Sequence, residues 1–303
     1  KVNEETRSVV MNVIDRLGFV PKAEARARAM RSTGRIGVLT PFFTAPSFVQ
    51  RLRGAAEVLS KHNYELVIYT VYSNKHLNTY LETLPIAHSL DGLIILSLQF
   101  SDPYADRLAA QGLESVLVEY PHAMLNSIEI DDVAGGHLAA EYLVKKGYTS
   151  FGFVGDTTVP EFGIHPITLR LAGFRRGLNE AGFNLPDENI LLVSYDMEST
   201  HVKGREYLKR SNHPAAIFAA TDLQATAMLR ASRDLGMKVP QELAVLGFDD
   251  LDLAEYVGLS TISQHLDESG RVAAELLLAR LADPQRPVQH IQLPLTVITR
   301  ETA

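Results

Sequence analysis

A few charged residues stand where a chain of this pattern can hold a ligand. Arg170 follows "PEFGIHPIT" and opens an amphipathic stretch. Its guanidinium can grip a carboxylate or a pair of hydroxyls at two points, or make a surface ion pair. Asp249 follows the apolar run "LAVLGF" (243–248), and the carboxyl ends of strands are where open α/β sheets bind ligands. Its carboxylate can accept from adjacent hydroxyls or amines, or cap a helix at 250–255. Thr221 and Asp222 end the run at 215–220, and Asp131 precedes a helical stretch from 133. Asp222 and Asp131 each read either as a ligand contact or as an N-cap.

Enzyme signatures are absent. There is no G-x-S-x-G elbow, Walker loop or H-E-x-x-H. "GFVGD" (152–156) lacks the spacing of a dinucleotide fingerprint, and His137 and Glu141, four apart on a helix, have no evident third metal ligand. With no cysteine there is no disulfide, thiolate site or cysteine nucleophile, which suits a reducing compartment such as the cytoplasm. We therefore expect a binding protein, not an enzyme, with no metal or cofactor.

The elements that must position these residues alternate. Strand-length apolar runs lie at 35–40, 64–70, 91–97, 114–119, 150–155, 215–220 and 243–248, with later ones at 259–264, 288–292 and 295–299. Near-continuous apolar strands indicate burial on both faces. Amphipathic helical stretches intervene, as at 45–63, 133–147, 169–182 and 222–236, and Gly147, Gly182 and Gly236 close three of them. This alternation predicts an α/β protein with parallel sheets covered by helices. At 303 residues, two doubly wound lobes fit better than one. The reading is a first lobe from 35–147 plus 265–292 and a second from 148–264 plus 293–303, with a cleft between them suited to a small ligand. No apolar run approaches the roughly 18 residues of a membrane span, and "KVNEETRSVV" lacks a secretory-signal pattern.

Charge sets the front apart. Residues 1–34 carry net +3 in a chain of net −7, leaving −10 for the rest. Such asymmetry fits an arm that meets a polyanion, or a basic helix that merely solvates itself. "NEETRSVVMNVIDRLG" (3–18) reads as a helix with Asn3 as N-cap and an apolar face of Val9, Val10, Val13, Ile14 and Leu17. "KAEARARAMRS" (22–32) is too short to hold a helix alone.

The order of motifs along nearly the whole chain resembles the lactose/galactose-repressor (LacI/GalR) family of bacterial regulators. At the front are Val2 to Arg7, Gly18 to Lys22, the hinge-like Ala25-Arg26-Ala27-Arg28 and the strand Ile36-Gly37-Val38. In the body, Asp131 to Gly135 resembles the family's D-N-x-x-G, Arg170 to Phe174 its R-x-x-G-F, and Thr221 to Ala225 its N-D-x-x-A. Pro240 to Asp250 and Arg300 to Thr302 match its later motifs.

The resemblance implies a periplasmic-binding-protein-like fold of type I. It also implies a cytoplasmic repressor in which a small polar effector, expected to be a sugar, binds between the lobes and alters operator affinity across a homodimer. A solute-binding protein of a sugar transporter is the alternative on the same fold. Effector contacts carried over are Ser47, Phe48, Asp131, Arg170, Met197, Thr221, Asp222 and Asp249. Met197 falls where relatives often carry an aromatic platform; its absence argues against a purine and weakens sugar stacking, though a methionine can still pack on an apolar face. Ala25, Arg26, Arg28 and Met30 become a hinge entering the DNA minor groove. Arg28 takes the place of the family's wedging leucine, and Met30 is the nearest apolar residue. A helix-turn-helix is expected before Lys1, and the absence of a leucine-heptad tail at Ala303 suggests a dimer.

Overall fold

The computed structural model describes residues 32–156 and 161–303 and, before them, residues 3, 5, 6, 8, 9, 13 and 16. At the front, the Thr6 amide donates to Asn3 Oδ1 at 2.8 Å, the bond expected of an N-cap. The hinge positions Ala25, Arg26, Arg28 and Met30 lie outside the described residues.

The body forms two six-stranded sheets. The first contains β1 (Arg35–Thr40), β2 (Glu65–Thr70), β3 (Gly92–Leu96), β4 (Glu114–Val118), β5 (Asn126–Glu129) and β11 (His290–Gln292), ordered β11-β5-β4-β3-β1-β2. The second contains β6 (Phe151–Asp156), β7 (Ile190–Val193), β8 (Ala216–Ala219), β9 (Ala244–Asp249), β10 (Ser260–Ser263) and β12 (Thr296–Ile298), ordered β12-β10-β9-β8-β6-β7. The first five strands of each lobe thus follow one plan, with the order reversing beside the lobe's first strand. All pairings are parallel except β10 with β12. Central strands such as β3 and β9 are buried at every residue, while the edge strand β2 is not. Coverage by helices on both faces demands this pattern.

The helices are α1 (Pro46–Lys61), α2 (Asn74–Ala87), α3 (Asp102–Ala110), α4 (Asp132–Lys145), α5 (Pro166–Glu180), α6 (Met197–Leu208), α7 (Asp222–Asp234), α8 (Asp252–Tyr256) and α9 (Leu266–Ala282). Proline opens α1 and α5 at their first position, where a missing N–H leaves nothing unpaired.

One expected boundary moves. Helix α4 does not belong to the first lobe: Ala139, Ala140 and Leu143 pack into the second lobe's core with Phe151, Phe153 and Phe174. The first crossing therefore falls before α4, not at 147/148. After β10 the chain returns, and Ala273, Ala274 and Leu277 of α9 complete the first lobe's core with Ile36, Val38 and Leu59. β11 then joins the first sheet and β12 the second. Each lobe therefore receives a helix from a strand of the other. Among the described residues, no helix is long and apolar enough to cross a membrane.

Candidate functional site

A cavity of about 630 Å³ opens between the lobes at the carboxyl ends of strands from both sheets. Its size is typical of small-molecule sites. Phe42 follows β1, Ser97 follows β3 and Glu119 follows β4. From the second lobe, Asp156 and Asp249 end β6 and β9, while Tyr195 and Thr221 follow β7 and β8. Sheets that reverse strand order leave a crevice at this edge. Three of these residues hold positive φ without being glycine: Ser97 (54°), Glu119 (70°) and Asp249 (120°). Such backbone costs about 1–3 kcal/mol per residue and persists where the surroundings enforce it. Here it turns three polar side chains into one cavity.

Arg170, on the second turn of α5, is the centre of the second lobe's share and is only 3% exposed. Its Nε donates to Asp132 Oδ1 at 2.8 Å, and Nη1 donates to the Ala220 carbonyl at 2.7 Å. Nη1 also stands 3.8 Å from Asp249 Oδ1. The guanidinium lies over the Phe248 ring, 3.7 Å from its centroid. Burial pushes Asp249 up to about 6 although Arg170 pulls the other way. Burial likewise raises Asp132 against the pull of Arg170, and raises Asp156 to about 6.

The first lobe contributes a second buried arginine. Arg51, on α1, donates from Nη2 to Glu119 Oε1 at 2.5 Å and to Gln264 Oε1 at 2.7 Å. The Ser97 hydroxyl bonds the other oxygen of Glu119. Burial would raise Glu119, yet Arg51 and Ser97 more than offset it and hold the carboxylate below its ordinary range. Gln264 turns its amide the other way, Nε2 donating to Asp249 Oδ1 at 2.6 Å. A polar chain from Glu119 through Arg51, Gln264 and Asp249 to Arg170 therefore crosses the cleft. Apolar walls close the cavity: Phe42 and Phe48 meet edge to face at 6.2 Å, and Tyr195 lies across from them on the second lobe.

Of the residues picked from sequence, Ser47, Phe48, Arg170, Thr221 and Asp249 line this cavity. Thr221 also caps α7, accepting from the Gln224 amide. Asp249 caps no helix, because α8 begins at Asp252 with Leu251 as its cap. Three choices do not line it. Asp131 is the N-cap of α4, taking the Ala134 amide at 2.8 Å on the outer face; its neighbour Asp132 turns inward to Arg170. Asp222 is fully buried in the lobe, with Thr261 Oγ1 on one oxygen and the Leu251 amide on the other. Met197 starts α6 outside the cavity, and Tyr195, two residues earlier, supplies an aromatic there instead. Away from the cavity, His137 bonds Glu180 at 2.7 Å and stands 3.6 Å from Glu141.

Sequence reasoning missed Arg51, Ser97, Glu119, Asp132, Asp156, Tyr195 and Gln264. Ser97, Glu119 and Asp156 sit at the carboxyl ends of apolar runs, the signal that singled out Asp249. Arg51 had no such mark, being one basic residue in an amphipathic helix.

Comparison with known proteins places the fold in a family. Residues 140–303 match the model of the periplasmic binding protein-like domain. The ribose operon repressor of Haemophilus influenzae is 30% identical over 306 residues, covering 99% of this chain and 90% of that protein. The HTH-type transcriptional repressor PurR of Salmonella paratyphi A is 27% identical, covering 99% and 89%. Among solved structures, a LacI family regulator from Enterococcus faecium with bound ribose superposes with a TM-score of 0.76 at 26% identity, covering 89% of this chain and 98% of that one. The transcriptional regulator CelR in complex with cellobiose gives 0.75 at 26%, covering 100% and 92%. These relatives are transcriptional regulators and not enzymes, and they favour a regulator over a transporter's solute-binding protein. The chain belongs to the LacI family of transcriptional regulators.

Proposed function

We propose that this regulator binds a sugar in the interlobe cavity through Arg170 and Asp249, with ribose the first candidate. The carrying observation is the cavity itself: planar polar side chains from both lobes converge on one space walled by Phe42, Phe48 and Tyr195. Carboxylate, amide and guanidinium groups match the donor–acceptor pairs of adjacent hydroxyls, and aromatic faces match the C–H faces of a sugar ring. Two kindred regulators were solved with ribose and with cellobiose, and a kindred repressor is named for the ribose operon.

The effector acts by changing the angle between lobes. Gln264 bonds Arg51 of the first lobe and Asp249 of the second, so a ligand that competes for either partner alters the connection between them. In a homodimer in the cytoplasm, that change moves the segments before residue 32 relative to each other and biases operator affinity. Coupling of this kind is reciprocal, effector and DNA changing each other's affinity by one factor.

A thermal-shift screen against sugars, nucleosides and amino acids tests the reading. A ligand at 100 times its Kd stabilises by about 2.7 kcal/mol. A sugar shift lost in both Arg170→Ala and Asp249→Ala is the expected result. A shift that survives both changes places the sugar elsewhere, and a shift from nucleosides alone overturns the sugar class.

A further inference from the structure

Asp156 differs from the other acids of the cavity wall. It ends β6, and its Oδ1 is buried with no hydrogen-bond partner. Glu119 is held by Arg51 and Ser97, Asp249 by Gln264, and Asp196 caps α6 through the Ser199 amide. Among the described residues that line the cavity, Asp156 is the carboxyl left with a buried, unused acceptor. An unpaired buried acceptor is costly unless a donor from water or a ligand satisfies it, and a ligand hydroxyl can take that place.

The cations tell the same story. Among the described residues that line the cavity, Arg51 and Arg170 are the cationic ones, and no lysine or histidine joins them. Both are partly engaged by protein acceptors: Arg51 gives Nη2 to Glu119 and Gln264 while its buried Nε has no partner, and Arg170 gives Nε to Asp132 and Nη1 to the Ala220 carbonyl. Four carboxyls, Glu119, Asp156, Asp196 and Asp249, line the same space. An incoming phosphate would have to sit among these like charges. Burial raises Asp156 to about 6 with Arg170 opposing it, so it is a carboxylate at neutral pH.

We infer that Asp156 sets the effector class: its free Oδ1 accepts a hydroxyl from an uncharged sugar, and its charge turns away phosphorylated sugars. This rests on the sugar reading above and narrows it. A hydroxyl donor satisfies the orphaned oxygen without bringing a charge, whereas a phosphate dianion brings acceptors only.

Calorimetric titration of two matched pairs tests it: ribose with ribose 5-phosphate, and glucose with glucose 6-phosphate, each into the wild-type chain and Asp156→Asn at pH 7.5. The neutral member of the binding pair is expected to bind at least about 100-fold more tightly than its phosphate in the wild type. In Asp156→Asn the neutral sugar loses about 10-fold, the value of a charge-assisted hydrogen bond, and the ratio narrows. A phosphorylated sugar that binds as well as its neutral partner overturns the inference and leaves the sugar reading standing. A ratio unchanged in Asp156→Asn removes Asp156 from the role. Silence from all four sugars overturns both.

Discussion

The two lobes place a buried arginine in equivalent positions and then use it differently. Arg51 lies on α1, the helix after the first strand of lobe one; Arg170 lies on α5, the helix after the first strand of lobe two. Each stands three residues before a glycine, Gly54 and Gly173, against which the helix from the other lobe packs. A Cβ at Gly54 would lie 1.9 Å from the Asp267 carbonyl, and one at Gly173 would lie 1.9 Å from that of Val133. The contact is mutual: a Cβ at Gly270 would lie 1.9 Å from the Arg51 carbonyl, and one at Gly136 the same distance from that of Arg170. The backbone carrying each cavity-lining arginine thus touches the helix that arrives from the opposite lobe.

The difference lies in the acids. In lobe one, Arg51 and Ser97 hold Glu119 as a firm carboxylate. In lobe two, Asp132, Asp156 and Asp249 share Arg170, and burial raises all three. Lobe one presents an ion pair whose carboxylate is held on both oxygens. Lobe two presents unmet acceptor capacity, which the proposed sugar would meet.

Removing either arginine is expected to have the largest effect. Arg51→Ala strands Glu119 and Arg170→Ala strands Asp132, each a buried carboxylate, at about 3–5 kcal/mol by urea unfolding. If one change proves silent, the equivalence of the two positions fails. Next come Gly54→Ala and Gly136→Ala. Each forces a methyl into a backbone carbonyl across the helix pair, costing about 3 kcal/mol and lowering the melting temperature of the lobe concerned.

A smaller effect follows pH, with opposite sign in the two lobes. Asp156 and Asp249 titrate near 6 in the folded protein, above their ordinary value of about 3.9. The folded state therefore binds more protons between those values. Their contribution to stability is fully present below about pH 4 and lost as pH rises through 6. Glu119 works the other way, stabilising above its ordinary value and failing on acidification. From pH 7.5 to 5.5 the unliganded chain is expected to gain stability through lobe two. Asp156→Asn should remove part of that gain and stabilise the protein at pH 7.5 by about 1 kcal/mol, after allowing for solvent screening. Paired denaturation curves at the two pH values check this; an equal change in stability between the two pH values in wild type and variant would contradict it.

The smallest effect is expected at Arg53, which joins α1 to Asp252 of α8 and to Asp267 at the cleft rim. This pair is half exposed, so Arg53→Ala should cost under about 1 kcal/mol, and less in high salt.

Much of this architecture is legible in sequence because buried parallel strands are continuous apolar runs. β5 and β7 escape: "NSIE" holds one apolar residue and "ILLV" only four residues, and pairing with neighbours makes them strands. The lobe to which α4 belongs is equally hidden. Its amphipathic pattern shows that it packs, whereas the Gly136–Gly173 contact decides against what. In the cavity, strand-end acids are readable by position, and Asp156 could have been found as Asp249 was. Asp131 and Asp222 show the limit of that rule. Both stand beside strand ends, yet a free Ala134 amide claims one, and Thr261 and Leu251 claim the other.

The central proposal is that a sugar binds against Arg170 and Asp249 in the interlobe cavity and touches both lobes. The most direct test is a crystal structure of this chain grown with ribose. The account predicts the sugar in the cavity, its hydroxyls within hydrogen-bond distance of Arg170, Asp249 and Asp156, with an aromatic ring against its face. A sugar bound away from Arg170 and Asp249, or an empty cavity at saturating ribose in a chain that binds another sugar class outside the cleft, would contradict it.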